Sequence, residues 1–476
     1  MADSEQSRSR PMQAASPARV AAFRVLQRVN RKQEHADALL RELASESMHA
    51  HDLDLATALV MGVLRWQIRL DTWIRQQLTR PGARLDAPVQ VALRLGVFQL
   101  KFMDRIPVHA AIHDSVTLCR MAGHGHASRM VNAVLRRLAT APHHEAETMQ
   151  LAGNAAELAE RSAHPAWLVE RWVQAFGLEQ ARWLCEHGQQ PPQLMLRLAD
   201  VAAKSKLAAM QIGLEPSLLL SAAYMLQIGE SALTQIRQSE VWKSGRIRPQ
   251  DEGSQLVAEI AGHGRRILDF CAAPGGKTMI LAERNPDSTV EACEVSPTRA
   301  EAMRSRLRAM QQLPWSQQIT VHTADAATWA GERQWDMVLV DAPCSGTGTI
   351  GRNPEIRHRL QPLEFVRQAQ RQTELLQAAM QASSRRVVYS TCSLEREENE
   401  DVVRAALDGQ SEWRQISAAG AIAELLTEGR ITTSGVEWLR RGLQADGSLR
   451  ICTRPDAHGS LIRTDGFYLA ILERNS

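Results

Sequence analysis

Lysine is the residue that this sequence most clearly lacks. Only six of its 56 basic residues are lysine, so the remaining 50 are arginine. No lysine follows Lys277, although 199 residues come after it. Codon usage in a GC-rich genome accounts for most of this bias. Because Lys277 is the one lysine among residues 251–476, we expect its position to need a compact ammonium group, which the wide guanidinium of arginine cannot replace.

Patterns typical of membrane spans and secretion signals are missing from the sequence as well. Because residues 1–16 are polar and lack an apolar core, we expect them to form a disordered tail and not a secretory signal. No apolar run approaches the roughly 20 residues that cross a bilayer. The seven cysteines form no CxxC pair, which excludes a zinc ribbon and a thioredoxin-like site. We therefore expect a cytoplasmic, soluble, multidomain protein with free thiols and no membrane partner.

The net charge of +3 hides a regional asymmetry. Residues 1–150 carry 20 basic and 14 acidic side chains, residues 151–250 carry 10 and 9, and residues 251–476 carry 26 and 30. A basic N-terminal region followed by a mildly acidic C-terminal region favours a first domain that binds a polyanion. Charge alone does not identify that polyanion as a nucleic acid.

Residues 17–141 show helical periodicity throughout. Leu59, Val63, Trp66, Leu70 and Trp73 recur at spacings of 4, 3, 4 and 3, which predicts one apolar helix face. Similar stripes cover 20–29, 89–100, 110–118 and 127–138, separated by Pro81-Gly82, Pro107, and Gly123 with Gly125. We expect the tryptophans in the core. The intervening arginines either form a solvated face or include one RNA-facing patch: Arg24, Arg28, Arg65, Arg69, Arg129, Arg136 and Arg137.

The middle of the chain has a weaker pattern. Residues 142–165 are rich in alanine and acidic residues and are predicted to be a linker with marginal helix. Residues 166–245 are predicted to form a small α+β domain, with a helix over 166–176 and strands over 194–198 and 223–227. No cysteine or carboxylate completes a ligand spacing with the nearby histidines, so we expect no metal at His124, His126, His143 and His144.

Residues 246–476 alternate short apolar strands with helices. Such alternation predicts a parallel sheet covered on both faces, which is an α/β, Rossmann-like fold. Helices are predicted around 279–283, 299–310 and 364–383. The expected strands are 266–270, 290–293, 319–322, 337–340 and 387–389, with a further edge strand at 467–472.

A glycine-containing loop follows the first of these strands. Ile267–Phe270 leads into Cys271-Ala272-Ala273-Pro274-Gly275-Gly276-Lys277-Thr278, where two glycines allow a sharp turn at a helix N-terminus. The loop matches neither GxGxxG nor GxxxxGK[ST], which weakens dinucleotide and nucleoside triphosphate interpretations. Acids at the ends of successive strands are typical of a nucleoside cofactor site. The chain has three of them: Glu294, Asp325 and Asp341.

Two cysteines also follow strand ends. Cys344 leaves the fourth strand in Asp341-Ala342-Pro343-Cys344, and Cys392 leaves the next strand. Both are expected in the same crevice as the acids, where thiols favour nucleophilic chemistry. Cysteines outside this crevice are expected to be inert packing residues in the core: Cys119, Cys185 and Cys452. Cys271 and Cys293 flank the cofactor loop and are expected to line it.

Three segments carry a resemblance to a known family. DFCAAPGGKT, DAPCSGTGTIGRNPEIR and VVYSTCSLEREENE resemble the signature segments of the Nol1/Nop2/Sun RNA cytosine-5 methyltransferases. In front of them, LRLGVFQLKFMDRIPVHAAIHDSV and MVNAVLRR resemble a NusB-like helical RNA-binding module. The combination is similar to the layout of bacterial enzymes that methylate cytosine C5 in small-subunit (16S) ribosomal RNA. It implies an all-α NusB-like domain, a small α+β segment and a Rossmann-like methyltransferase domain.

The resemblance implies roles for particular residues. Cys392 would attack C6 of cytosine, Cys344 would assist release of the methylated product, and Asp341 would hydrogen-bond the cytosine edge. The methyl group would come from S-adenosylmethionine. The residues implied around this cofactor are Cys271, Ala272, Ala273, Pro274, Gly275, Gly276, Lys277, Glu294, Asp325 and Asp341. RNA is the implied partner, and we expect a monomer without a metal.

Other functions remain open from the sequence. The chain can be an RNA-binding ribosome-assembly factor with a vestigial methyltransferase domain, although both thiols and all the acids are present. Cytosine-5 methylation of transfer RNA is a further alternative. Methylation of an exocyclic amine would need Asp/Asn-Pro-Pro-aromatic after the fourth strand, where Asp341-Ala342-Pro343-Cys344 stands instead.

Overall fold

The computed structural model of the chain describes residues 14–32, 34–45, 48–80, 82–140, 149–227, 232–331 and 334–475. Pro81, His143, His144 and most of the expected tail lie outside the described residues. The chain divides into two compact units. The first unit contains residues up to 189 together with 353–359, and the second contains 190–352 and 360 onward.

The first unit is helical, as predicted. The stripe on the third helix is buried, with Leu59 and Leu70 fully shielded from solvent, while Trp66 stacks on Phe102 at a centroid distance of 4.8 Å. The second helix was not predicted from the sequence. The helices are α1 Pro17–Lys32, α2 Ala36–Ser45, α3 Ala50–Gln77, α4 Ala87–Phe102, α5 Val108–Met121, α6 Ser128–Thr140, α7 Ala155–Ser162 and α8 Ala166–Gln189.

Helices α7 and α8 lie where the sequence predicts a linker and the start of the middle domain. Asn154 caps α7 by accepting from the Glu157 N–H at 3.0 Å, which favours a helix within the predicted linker 142–165. Gly177, with φ +82°, marks a kink within α8. Both helices belong to the first unit, which ends at residue 189 apart from the segment 353–359.

The second unit begins with a small antiparallel sheet. Its strand order is β2-β3-β1-β4, and its last strand lies beyond residue 245, where we expected the middle domain to end. Predicted strands 194–198 and 223–227 correspond to β1 and β3. The elements are β1 Met195–Leu198, α9 Val201–Ala209, β2 Leu214–Pro216, β3 Ala223–Leu226, α10 Ala232–Gln238, α11 Glu240–Lys243 and β4 Ile247–Pro249.

A larger mixed sheet follows, with helices between its strands. The helices are α12 Glu252–Ala261, α13 Gly276–Arg284, α14 Pro297–Ala309, α15 Ala326–Trp329, α16 Ile356–Arg359 (in the first unit), α17 Pro362–Ala382, α18 Glu400–Leu407, α19 Ala419–Thr427 and α20 Thr433–Arg440. The strands are β5 Arg266–Asp269, β6 Thr289–Cys293, β7 Ile319–His322, β8 Trp335–Asp341, β9 Ser383–Thr391, β10 Trp413–Ile416, β11 Leu449–Ile451, β12 Arg454–Pro455, β13 Leu461–Ile462 and β14 Phe467–Arg474.

The strand order of the larger sheet is β10-β14-β9-β8-β5-β6-β7. Strands β9, β8, β5, β6 and β7 are parallel, as predicted, whereas β14 is antiparallel to both β9 and β10. The prediction of an edge strand over 467–472 is therefore wrong. Phe467–Leu472 is buried along its whole length, which is the pattern of an interior strand covered on both faces.

The chain reverses its winding direction between β5 and β8. These neighbouring parallel strands lead toward β6 and β9 on opposite sides, so their carboxyl ends form a topological switch point. The loops after β5, β8 and β9 consequently meet at one edge of the sheet.

Among the described helices, none has an apolar stretch long enough to cross a bilayer.

Candidate active site

The loop after β5 makes a tight turn into α13. The Ala272 N–H donates to the Cys293 carbonyl at 3.0 Å, which ties the loop to the end of β6. Gly275 caps α13 with φ +97°, and a Cβ there would lie 3.1 Å from Met303 Cε. The positive φ therefore requires glycine at this position, and the space beside Met303 is tight for a side chain. Burial raises the pKa of Cys271 far above its ordinary value, which makes this thiol a poor nucleophile.

Asp269, which ends β5, is a site residue that the sequence reasoning missed. Its side chain is buried, and Oδ2 accepts from Thr278 Oγ1 at 2.7 Å. Oδ1 is also buried and has no hydrogen-bond partner within the described part of the chain. Burial raises the pKa of Asp269 to about 7, and the donation from Thr278 opposes this shift. The buried acceptor beside the glycine turn is available to one further donor.

Two of the three predicted acids follow β6 and β7. Glu294 is buried, accepts from the Ser296 N–H at 2.9 Å, and lies 3.3 Å from the guanidinium of Arg299. Arg299 also donates to the Ala273 carbonyl at 2.6 Å, so it connects this acid to the cofactor loop. Asp325 is exposed and caps α15 by accepting from the Ala327 N–H at 3.0 Å.

Lys277 and Asp341 form an ion pair across the switch point. Lys277 Nζ donates to Asp341 Oδ2 at 2.7 Å, and Ser390 Oγ donates to Asp341 Oδ1 at 2.9 Å. Burial disfavours the charge on Lys277, but the Asp341 carboxylate outweighs it and raises the lysine pKa. A Cys392 thiolate contributes to the same increase, so the ammonium group lies within electrostatic range of that sulfur. Lys277 thus touches the predicted catalytic acid directly.

The two predicted catalytic cysteines lie side by side. Cys344 Sγ is 3.3 Å from Cys392 Sγ. The hydrogen bond to Cys392, together with burial, raises the pKa of Cys344 well above that of a free thiol. Cys344 therefore keeps its proton. Sequence reasoning placed both in one crevice, and the structure brings their sulfurs into contact.

A partly buried ion cluster lies at the end of the loop that follows β8 and contains Cys344. Arg352 donates to Asp251 Oδ2 at 2.6 Å and to Asp465 Oδ2 at 2.5 Å. The Thr464 hydroxyl also donates to Asp251, at 3.2 Å. Burial and the neighbouring Asp465 raise the pKa of Asp251, whereas Arg352 lowers it. Arg352 lies at the end of the loop that contains Cys344. The cluster therefore anchors this loop to the residue before α12 and to the segment before β14.

The arginines of the first unit divide into several environments. Arg28 pairs with Glu34 and Glu42, and Arg65 is buried. Arg129 and Arg136 are exposed and line a groove of about 870 Å³ between α5 and α6. The groove also contains Arg120 and two histidines, His109 and His113. A subset of the predicted arginines, rather than all of them, therefore shares one basic surface.

The histidines dismissed as metal ligands are closer to an acid than the sequence indicates. His124 and His126 have ring nitrogens within 4.8 Å of each other and of a carboxylate oxygen of Asp86. Asp86 and His126 are exposed, and His124 Nδ1 lies 3.1 Å from Asp86 Oδ2. The three side chains have a spacing that could hold a metal ion, so the expectation of no metal at these histidines stays a prediction.

The sheet order, the glycine turn after the first parallel strand and the acids at the strand ends define a Rossmann-like methyltransferase. Family models match three parts of the chain: the 16S rRNA methyltransferase RsmB/F at 260–473, the RsmF/B-like ferredoxin-like domain at 164–213, and the NusB family at 16–140.

Comparison with whole proteins extends this match over nearly the full chain. The probable ribosomal RNA small subunit methyltransferase B of Bacillus subtilis is 29% identical over 471 residues, covering 95% of this chain and 98% of that protein. The ribosomal RNA small subunit methyltransferase B of Pseudomonas putida is 32% identical over 381 residues, covering 79% and 85%. The crystal structure of PH0851 superposes with a TM-score of 0.73 at 21% identity, covering 97% and 100%, which supports the fold. The chain belongs to the ribosomal RNA small subunit methyltransferase B family.

Proposed function

We propose that this protein methylates C5 of one cytosine in small-subunit ribosomal RNA, through a covalent bond between Cys392 and C6 of the base. The contact between Cys392 and Cys344, beside the Lys277–Asp341 pair, is the observation that carries this proposal. C5 of cytosine is a poor nucleophile until a thiolate adds at C6. A site for this reaction therefore needs a nucleophilic sulfur and groups that stabilise the activated base.

S-adenosylmethionine fits the acids and the glycine turn at the carboxyl ends of the strands. The buried Oδ1 of Asp269 can take a donor, Glu294 can accept from a ribose hydroxyl, and the turn at Gly275 lets a ligand approach the backbone. Asp325 is held in place as a helix cap at the same edge. When bound, the cofactor supplies an electrophilic methyl group. Methyltransferases of this family use S-adenosylmethionine.

The chemistry begins at Cys392. Its thiolate forms the S–C6 bond while N3 of the base takes up a proton, which gives C5 the electron density needed to accept the methyl group. A free thiol of pKa about 8.5 is only a few per cent ionised at neutral pH. The Lys277 ammonium interacts electrostatically with the sulfur of Cys392, and Cys344, which keeps its proton, lies in contact with that sulfur as a hydrogen-bond donor.

Asp341 provides the polar contact to the base. Lys277 and Ser390 each occupy one lone pair on a different carboxylate oxygen, so further acceptor positions remain on both oxygens. With its orientation held from two sides, the carboxylate accepts from the cytosine edge and favours protonation at N3. This arrangement stabilises the charge that develops during attack.

Release requires loss of the C5 proton and cleavage of the S–C6 bond, which returns the electron pair to Cys392. Cys344 assists this step because its sulfur lies beside the sulfur that departs. The two cysteines therefore act at opposite ends of the reaction. An RNA-binding factor with a vestigial site would not need both thiols in contact.

Two observations support ribosomal RNA as the substrate. The family model and the named relatives describe methyltransferases of small-subunit ribosomal RNA, and the NusB-like unit carries the basic groove between α5 and α6. Transfer of labelled methyl groups from S-adenosylmethionine to purified small-subunit and transfer RNA tests this choice. We expect label in 5-methylcytosine of the ribosomal RNA. Label in transfer RNA alone would identify transfer RNA as the substrate instead. No label in either RNA would support the assembly-factor alternative.

A further inference from the structure

One buried carboxylate contacts both cysteine loops. Glu398 is fully buried at the end of a 3₁₀ turn, Arg396–Glu398, that follows Cys392. Its Oε1 accepts from the Ser345 N–H at 2.8 Å and from Gln372 Nε2 at 3.1 Å. Its Oε2 accepts from the hydroxyls of Ser393, at 2.5 Å, and Ser345. All four donors are directed at one side chain.

The two serines are the residues that immediately follow the two cysteines. Ser345 comes directly after Cys344, and Ser393 directly after Cys392. Their hydroxyls lie 3.2 Å apart, as expected for two donors that share one carboxylate oxygen. The loops also share a backbone bond, in which the Gly348 N–H donates to the Cys392 carbonyl at 2.9 Å. Glu398 thus accepts hydrogen bonds from the residue that follows each cysteine, and it connects the two loops through one side chain.

We infer that Glu398 is a positioning residue, which holds the sulfurs of Cys344 and Cys392 in contact by bridging Ser345 and Ser393. Its effect on catalysis rests on the function proposed above, while its effect on the separation of the sulfurs does not. Displacement of a reacting group by about 1 Å can lower a rate 100-fold, so a residue that fixes this separation affects every turnover.

A carboxylate suits this role because all four groups that contact Glu398 are hydrogen-bond donors. Burial raises the pKa of Glu398, and the hydroxyl and backbone donors oppose that shift. Glutamine in the same place keeps one carbonyl for the Ser345 N–H and Gln372, and its NH₂ can donate to the two hydroxyls, which also accept. Glu398→Gln should therefore retain the bridge, and Glu398→Ala should remove it.

Phenylarsine oxide tests the separation of the thiols without any methyl transfer, because it condenses with two adjacent thiols and releases one water. Cys344→Ala should abolish this capture and identify the thiol pair. We expect Glu398→Ala to weaken capture at least about tenfold, and Glu398→Gln to stay within about threefold of the wild type. Wild-type capture by a folded Glu398→Ala protein would overturn the inference.

Two further variants separate positioning from general destabilisation. Glu259→Gln alters another buried glutamate of the second unit, which pairs with Arg197 away from the cysteines, and it should leave capture unchanged. Weakened capture in this control would overturn a specific role for Glu398. Ser393→Ala removes one arm of the bridge and should weaken capture about threefold. If Glu398→Ala does not fold, unchanged capture by Ser393→Ala overturns the inference instead.

Kinetics then connects position to catalysis. We expect Glu398→Ala to lower kcat about 100-fold while KM for S-adenosylmethionine stays within about twofold, with activity largely restored in Glu398→Gln. A wild-type kcat in Glu398→Ala would overturn the catalytic part of the inference. Absence of methyl transfer by the wild type would overturn the proposed function, whereas the arsenical result would still decide whether Glu398 positions the thiols.

Discussion

Lys277, the last lysine in the chain, donates to Asp341, the acid that ends β8, over 2.7 Å. The ammonium also lies 5.0 Å from the ring centroid of Phe467, so its surroundings are confined on two sides. Codon bias explains why the second half of the chain has so many arginines, but it does not explain why this position resists the bias. An ion pair with the acid that we propose contacts the base gives a physical reason.

Lys277→Arg should slow methyl transfer. The planar guanidinium is wider than an ammonium, so it should displace Asp341, and we expect this misplacement to raise the barrier to methyl transfer by about 1–3 kcal/mol. Since about 1.4 kcal/mol corresponds to a tenfold change in rate, kcat should fall roughly 10- to 100-fold with the fold retained. Lys243→Arg, on a side chain that is 60% exposed, is the matched control. A wild-type kcat for Lys277→Arg would contradict the assigned role.

Substitution of each catalytic cysteine should affect a different stage. With RNA and S-adenosylmethionine present, Cys344→Ala should accumulate a covalent protein–RNA complex, because attack proceeds and release is impaired. Cys392→Ala should form none. Denaturing gel electrophoresis separates the complex from the free protein, and Cys119→Ala, a buried cysteine of the first unit, should behave as the wild type. A complex that forms through Cys344 in the absence of Cys392 would reverse the assignment.

Asp269 should make stability depend on pH. Its pKa is about 7 in the folded chain and about 3.9 when unfolded, so the folded state binds the proton more tightly. The free energy of unfolding of the wild type minus that of Asp269→Asn should therefore be constant below about pH 4. It should fall as the pH rises from about 4 to about 7, and it should be constant again above that pH. Three pKa units correspond to about 4 kcal/mol. Urea denaturation of both proteins from pH 4 to 8 measures it, and a difference that does not vary with pH would contradict the assignment.

Loss of Arg352 should destabilise the second unit. Arg352→Ala leaves Asp251 and Asp465 as buried neighbouring carboxylates without their cation, which costs about 3 kcal/mol. The loss should be smaller at pH 5 than at pH 8, because protonation relieves the repulsion. Arg367→Ala, which breaks an exposed pair with Glu364, should cost less than about 1 kcal/mol in the same denaturation experiment. Equal losses for the two variants would rule out the anchoring role.

Local patterns were sufficient to predict the elements that carry the chemistry. Each parallel strand of the larger sheet is a short apolar run, and its carboxyl end is marked by an acid, a glycine turn or a cysteine. Because such ends meet at one edge, the proximity of Cys344 and Cys392 follows from topology alone. Helical periodicity likewise predicted α1, α3, α4, α5 and α6.

Features that depend on tertiary partners were beyond this reasoning. The apolar run at Phe467–Leu472 does not show that β10 pairs on its outer side, which is why β14 was mistaken for an edge strand. Glu398 lies in an acidic stretch that resembles a solvated helix start. Only the packed structure shows that it is the buried acceptor that joins the loops of Cys344 and Cys392. Asp269 is similar, since a carboxylate at a strand end has no sign of burial in the sequence.

Bisulfite sequencing of small-subunit ribosomal RNA tests the central claim most directly. A strain that lacks the gene is complemented with the wild type, with Cys392→Ala or with Cys119→Ala. We predict one cytosine that resists conversion with the wild type and Cys119→Ala, and is converted in the deletion strain and with Cys392→Ala. No difference at any cytosine between the wild-type and deletion strains, or full protection by Cys392→Ala, would contradict cytosine-5 methylation through this thiol.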